Sequence, residues 1–368
     1  MMKTFRFDEI AYNSTQKVKP TEADKEHYIG LEHIDGECLY ISRWGSDVAP
    51  IGEKLVMRKG DILFGKRRAY QRKVAIAPID GIFSAHGLVL RPKEDVVDKD
   101  YFPFFMSSNQ FLDRAVQISV GGLSPTINWK DLARQEFTLP SLSEQKVLAD
   151  KLWAAYRVKE SYKKLLATTD DMLKAKFIEM FGGLEKNGTI KDIIDTNILS
   201  VKKSYSKDSL IEYIDISSID STLHNVNGTT TYIVDNAPSR AQQCVQNGDI
   251  LVSTVRPINR NIAVVNNTEN NLVASTGFCV LRPISGYEKY ILTIVVSDEF
   301  TQSMCDKASG GVYPAVVNSD VLNYPIVLPD KNSLQKISAI ATQAEATKES
   351  LRKSIENIDQ VIKSLINQ

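Results

Sequence analysis

Lys59-Gly60-Asp61-Ile62-Leu63 is met again as Asn247-Gly248-Asp249-Ile250-Leu251, and that return decides how the chain is read. Working outward, Gly87-Leu88-Val89-Leu90-Arg91-Pro92 comes back, with one residue inserted, as Gly277 through Arg282-Pro283. Gly121-Gly122-Leu123-Ser124-Pro125 comes back as Gly310-Gly311-Val312-Tyr313-Pro314. Leu139-Pro140 followed by Glu144-Gln145-Lys146 comes back as Leu328-Pro329 followed by Leu334-Gln335-Lys336. The offset drifts only between 188 and 191 residues, far longer than the roughly 20–50-residue period of a solenoid. The chain is therefore a tandem duplication, and a duplicated domain suits a partner that also has two halves.

Each copy divides into two parts. The first reads as a mixed α/β domain, with β-rich segments at 74–77, 87–90 and 262–265 separated by turn signals. Helices are expected at 101–117 and 287–307, and short strands end at Pro140 and Pro329. The second part is a long helix, opening at Ser143 in one copy and Ser333 in the other. Leu148, Leu152, Leu166 and Leu173 mark a heptad stripe on the first helix; Ile337, Ile340, Leu351, Ile358 and Leu365 mark one on the second. Helices of about 39 and 35 residues span roughly 50–60 Å. A single stripe on so long a helix overhangs its own domain, so the two helices are expected to pack on each other as an antiparallel coiled coil. Tandem copies joined in that way are related by a rotation near 180°, a pseudo-two-fold arrangement that places two domains to read two half-sites on one duplex. The expected boundaries are 1–142, 143–181, 182–332 and 333–368.

The bulk composition sets limits. Forty-three per cent hydrophobic residues is ordinary for a globular protein. Basic and acidic side chains balance at 45 each, which argues against a chain coated in positive charge and leaves local charge to decide on nucleic acid. Cys38, Cys244, Cys279 and Cys305 lie far apart with no metal-ligand spacing, so buried, reduced thiols and a cytoplasmic location are expected. Residues 1–6 lack the apolar run of a signal peptide, and no stretch approaches the roughly 18 apolar residues of a membrane span.

Local charge is concentrated. Lys54, Arg58, Lys59, Lys66, Arg67, Arg68, Arg72 and Lys73 face a single acid, Asp61, a net charge of +7 across residues 54–73, with Phe64 and Tyr70 interleaved. Such a loop can neutralise phosphates, and arginine can pair bidentately with guanine; a solvated basic hairpin is the plain alternative. Arg68 and Arg72 align with Arg256 and Arg260, although residues 242–261 carry only +1. Lys66, Arg67, Arg68, Tyr70, Arg72, Lys73, Arg256 and Arg260 are therefore the candidate DNA contacts. The Gly-Gly loops match no phosphate-binding fingerprint; a tight turn and a backbone phosphate contact both fit. No catalytic motif stands out, and His27, His33, His86 and His224 share no spacing.

These residues carry a family resemblance. Gly-Gly-x-x-Pro-x-Ile-x-x-x-x-Leu, a strand ending Leu-Pro, and Glu-Gln-Lys opening a long helix, here Gly121 to Lys146, resemble the distal end of a target recognition domain in the specificity subunits of type I restriction–modification systems. The helix end Phe177-Ile178-Glu179-Met180-Phe181-Gly182 and the Gly-Asp-Ile-Leu steps are similar to theirs too, and the order domain, helix, domain, helix covers essentially the whole chain. The second copy departs at Val316 and Asn318, where the first has Ile127 and Trp129, and at Leu334 against Glu144. The resemblance implies a non-catalytic subunit that binds double-stranded DNA. Each domain would read half of a bipartite target, and the helices would set the spacer and dock two modification (methyltransferase) subunits. The subunit itself would hold no cofactor; those partners would bind S-adenosylmethionine, and restriction subunits would join them. A duplicated coiled-coil adaptor that ignores DNA is the alternative.

Overall fold

The computed structural model describes residues 2–267 and 271–367. The chain forms two compact units, Met1–Lys163 with Arg352–Gln368, and Lys164–Leu351. Each unit thus holds one α/β domain and part of both long helices.

In the first unit, a sheet orders the strands Ala11–Ser14, Leu88–Pro92, Ile62–Phe64 and Val74–Ile76. A second sheet orders Lys17–Val18, Lys54–Met57, Gly81–Phe83 and Tyr28–Ile29. The run Ile62-Leu63-Phe64 is apolar throughout because both of its faces are covered. Ile62 and Phe64 join the core beneath the helices, while Leu63 joins the core between the sheets, with Leu55, Met57 and Phe83. The second unit repeats the plan. Ile250 and Val252 point to the helix-side core and Leu251 to the inter-sheet core. Its first sheet is extended by a hairpin, Ile219–Asp220 with Asn225–Val226.

The repeated Gly-Asp-Ile-Leu and Leu-Arg-Pro segments prove to be one structural device. Gly60 and Gly248 sit at φ +91° and +90°, a backbone conformation that only glycine takes at little strain. The acid that follows is buried. Asp61 takes both Arg91 Nε (2.7 Å) and Nη2 (2.8 Å), and Asp249 takes Arg282 Nε (2.9 Å) and Nη2 (2.8 Å). The arginine that recurs in the sequence here is a fold element.

The expected helices at 101–117 and 287–307 are each broken in two. Ser108 and Ser297 take extended backbone and cap the second piece, their hydroxyls accepting from Phe111 N (3.2 Å) and Phe300 N (3.1 Å). The long helices run Leu142–Phe181 and Lys331–Ile366. The first is capped by Ser141, two residues before the expected start, in a reciprocal box with Glu144. The second is capped by Asp330, which accepts from Asn332 N and Ser333 N. Aligning the two caps sets Leu334 opposite Gln145, so the Gln-Lys match read from the sequence is out by one residue. Gln145 is fully buried; it accepts from Asp98 N (2.8 Å) and donates to Val96 O and Pro140 O. Leu334 does the same packing with hydrocarbon alone. Val316 and Asn318 leave the fold intact: Val316 is buried like Ile127, and Asn318 opens the same short helix as Trp129.

Within each unit the two long helices run antiparallel. Leu152 is buried and Leu148 half-buried against Ile358, Ile362 and Leu365 in the first unit, where Lys159 pairs with Asp359 at 2.5 Å. In the second unit Leu173 and Phe177 pack into the core that holds Ile337, and Lys348 pairs with Asp170 at 2.7 Å. Leu166, Ile340 and Leu351 are half-buried on the same stripe. Among the described residues no helix is long and apolar enough to cross a membrane. All four cysteines are free, but only Cys279 is buried; the other three are partly exposed, against expectation. Burial pushes the Cys279 thiol up to about 12.

Candidate nucleic-acid interface

The strand Ile62–Phe64 leaves the sheet into a single 3-10 turn, Ala69–Gln71, and the strand Ile250–Ser253 into another, Pro257–Asn259. Both turns are flanked by arginines in the left-handed region: Arg68 (φ +57°) and Arg72 (+50°), Arg256 (+49°) and Arg260 (+50°). A bulky residue there costs about 1–2 kcal/mol, so four arginines at matching positions call for a reason.

One pair has a structural reason. Arg72 donates to Asn109 Oδ1 (2.9 Å) and Asp113 Oδ1 (2.8 Å), and Arg260 pairs with Asp298 Oδ1 (2.6 Å). Both therefore tie the turn to the helix that the capping serine begins. The Arg260 guanidinium, with Lys174 beside it, holds the Asp298 carboxyl below the usual carboxylate range.

The other pair faces outward. Arg68 N donates to Pro125 O and Arg256 N to Pro314 O, both at 2.7 Å, and so each turn is fastened to the Gly-Gly loop of its own copy. That loop is a tight hairpin, closed by reciprocal bonds between Val120 and Thr126 and between Ser309 and Ala315, with Gly121 at φ +115° and Gly310 at +104°. The Arg68 guanidinium reaches Ser124 Oγ (3.1 Å); the Arg256 guanidinium lies over the Tyr313 ring at 4.6 Å. The two motifs read separately in the sequence, basic turn and Gly-Gly loop, thus form one surface in each copy. Its tips are exposed: Tyr70 55%, Ile258 67%, Leu123 98%, Val312 78% and Tyr313 68%.

The remaining candidates separate. Lys73 Nζ donates to Leu31 O (2.6 Å) and serves the fold. Phe64, interleaved in the basic stretch, is core. Lys66 and Arg67 stay beside the turn, and among the described residues the Arg67 side chain is bonded only to neutral groups, Ser124 Oγ and His86. Reading the sequence overlooked Ile258, Tyr313 and His86. The first two occupy the positions of Tyr70 and Ser124 in the repeat, so the alignment could have found them. Among the described residues no cluster of metal-ligating side chains occurs. The surface can present guanidinium groups and an aromatic or branched side chain to an anionic, stackable ligand.

A chain that builds this surface twice, on two copies of one α/β domain, is a duplicated binding protein. It belongs to the family described as type I restriction modification DNA specificity domain, which matches residues 5–167 and again 185–360. It is 28% identical over 136 residues to the type I restriction enzyme HindI specificity subunit of Haemophilus influenzae, and 25% identical over 184 residues to the EcoDI specificity subunit of Escherichia coli. These alignments take in 36% and 48% of this chain, and 30% and 41% of the relatives' own lengths, so the chain spans less than half of the curated relatives it matches. Among solved structures it is similar in fold to a chain from a study of complex assembly and conformational transition of the type I R-M system, at 16% identity and TM-score 0.55, covering 99% of this chain and 96% of that one. The type I restriction–modification S subunit from M. genitalium is similar too, at 13% identity and TM-score 0.55, covering 100% and 95%.

Proposed function

We propose that this protein is the non-catalytic sequence-specificity subunit of a type I restriction–modification complex. Each α/β domain reads one half of a bipartite target in double-stranded DNA. The observation that carries this reading is the duplicated surface: left-handed Arg68 and Arg256, each fastened to an exposed loop, in a chain whose two halves both match a DNA specificity domain. A coiled-coil adaptor that ignores DNA has no use for Arg68 and Arg256, which bear that conformational cost with no acid to pair with among the described residues. Lys66, Arg67, Arg68, Tyr70 and Arg256 are the proposed DNA-facing residues; Arg72, Arg260 and Lys73 support the turns that present them. The long helices space the two half-sites and dock two methyltransferase subunits, which bring S-adenosylmethionine, and restriction subunits complete the complex. The work is done in the cytoplasm, where the DNA is.

The test is methylome sequencing of cells that express the chain with the modification subunit encoded beside it. A bipartite methyladenine motif that disappears on deleting the chain is expected. A motif that persists without it, or duplex binding by neither the chain nor its complex, sinks the proposal.

A further inference from the structure

The two copies agree in their arginine turns and differ just beside them. In the first copy, Arg67 N donates to His86 O (3.2 Å), Arg67 Nη1 lies 3.4 Å from His86 Nε2, and Arg67 Nη2 donates to Ser124 Oγ (3.3 Å), the hydroxyl that also serves Arg68. Every acceptor in this set is neutral. Two nearby arginines are different, Arg72 with Asp113 and Arg91 with Asp61, whereas Arg68 shares the Ser124 hydroxyl. Lys66 is half-buried one residue away and forms no ion pair among the described residues. Burial, with the charge of Lys17 added, holds the Lys66 ammonium below its usual pKa. Burial first, then the charges of Arg67, Lys66 and Lys54, holds the His86 imidazole down as well. Of the cations around it, Lys17 is paired with Glu53, and Lys54 is capped by the carbonyls of Ile51 and Gly52. Among the described residues Lys66 and Arg67 are left without a countercharge, and partly desolvated cations are stabilised by an anion placed beside them.

The second copy has none of this. Thr254 and Val255 stand where the first copy has Lys66 and Arg67, and Thr254 turns its buried hydroxyl inward to Gly277 O at 3.0 Å. The turn Ser275–Gly277 stands where the first has His86.

We propose that Lys66, Arg67 and His86 form an anion site that takes a phosphodiester group of the DNA backbone, and that it belongs to the first recognition domain alone. The inference rests on the DNA reading above. The salt dependence of binding therefore sits mainly in the first domain, and the second relies on Arg256 with Tyr313 and on base contacts.

The experiment uses the full chain with its modification subunits and a fluorescein-labelled 30-base-pair duplex, with affinity read against salt at pH 7.5. The parent is compared with the triple variant Lys66→Thr, Arg67→Val, His86→Thr, which carries the second copy's residue types. Lys99→Ala, at an exposed lysine in another loop, is the control for lost charge. Each phosphate neutralised contributes a slope of about 0.9 in log K against log salt, so the triple variant, which empties a site for one phosphate, should lose about 0.9. Over a fourfold rise in salt the parent should then weaken about 3.5-fold more than the variant. The control should follow the parent. His86→Gln supplies a second readout that needs no loss of lysine or arginine. A bound phosphate raises the His86 pKa, so binding takes up a proton and the parent tightens as pH falls from 7.5 to 5.5. His86→Gln should abolish that gain. Inorganic phosphate, added at constant ionic strength, separates the two sources of the anion: it should leave duplex binding unchanged. Parallel slopes with intact binding overturn this proposal and leave the DNA reading standing. Displacement of the duplex by millimolar phosphate in the parent alone would make free phosphate the ligand and overturn the backbone assignment. No duplex binding by any form overturns both.

Discussion

Replacing Arg68 or Arg256 by glycine separates a residue kept for binding from one kept for folding. Each arginine pays about 1–2 kcal/mol for its left-handed backbone. Glycine releases that strain but returns about 0.4–1 kcal/mol of unfolded-chain entropy. Arg68 also gives up its bond to Ser124, and Arg256 its contact with Tyr313, each worth about 0.5–1.5 kcal/mol at an exposed site. The opposing effects nearly cancel, so Arg68→Gly and Arg256→Gly should change stability by less than about 1 kcal/mol, a shift of at most about 4 °C for a unit of this size. Their effect on DNA should be larger: about 1–3 kcal/mol if the guanidinium meets a base edge or phosphate, or about 5- to 150-fold in affinity. Arg72→Gly and Arg260→Gly should behave oppositely, because those guanidiniums are tied to Asp113 and Asp298. They should lower the melting temperature and weaken DNA binding only through the loosened turn. The assay is differential scanning calorimetry beside fluorescence anisotropy on one duplex. Destabilisation above about 2 kcal/mol by Arg68→Gly or Arg256→Gly, with DNA affinity unchanged, would refute the reasoning and make these arginines fold elements.

Three further outcomes are expected. Asp249→Ala leaves Arg282 unpaired with only 17% of its side chain exposed, and should cost about 3–5 kcal/mol, whereas Asp61→Ala should cost less because Arg91 is 36% exposed and can find water; the reverse order in calorimetry would mean that burial of the arginine does not set the penalty. The Ser141 hydroxyl and N–H hold the Glu144 carboxyl down to about 2, so this cap stabilises the first long helix fully above the unfolded value near 4.5 and is lost as pH falls toward 2; Glu144→Gln should flatten that part of the acid-unfolding curve, and an unchanged curve would deny the cap its role. Inserting seven residues into both long helices keeps the heptad phase and adds about 10 Å, so the methylated motif should gain about three spacer base pairs with both half-sites unaltered; altered half-sites would mean that the helices are no passive ruler.

Much of the fold could be read from the residues because the duplication supplies its own alignment. The β-rich segments at 74–77, 87–90 and 262–265 and the long Gly- and Pro-free heptad stripes speak of local conformation, and took the form expected; the turns at Gly60 and Gly248 came only with the structure. The failures share a cause. Ser108 and Ser297 sit in otherwise helical patterns, and periodicity cannot register that a side-chain hydroxyl replaces a backbone partner. Gln335 looked like a repeat of Gln145 by identity, but the caps at Ser141 and Asp330 fix a different register. For the site, seven of the eight candidate residues were legible as charge on a loop, yet charge alone does not say which guanidinium is spent on an aspartate. Arg72 and Arg68 are four residues apart in the same turn, and only packing separates them.

The sequence by itself determined that there are two copies, that each joins an α/β domain to a long helix, and that basic loops recur at Arg68–Arg72 and Arg256–Arg260. Those properties are written in local spacing and repetition, which a linear reading preserves. Tertiary structure alone decided that the basic turn and the Gly-Gly loop, more than fifty residues apart, make one surface, joined through Pro125 in one copy and Pro314 in the other. It also decided that Asp61 and Asp249 consume the repeated arginines Arg91 and Arg282, and that Lys66 and Arg67 remain without a countercharge among the described residues. Which charges cancel depends on distances of a few ångströms between segments remote in the chain, and nothing in their order along it encodes those distances directly.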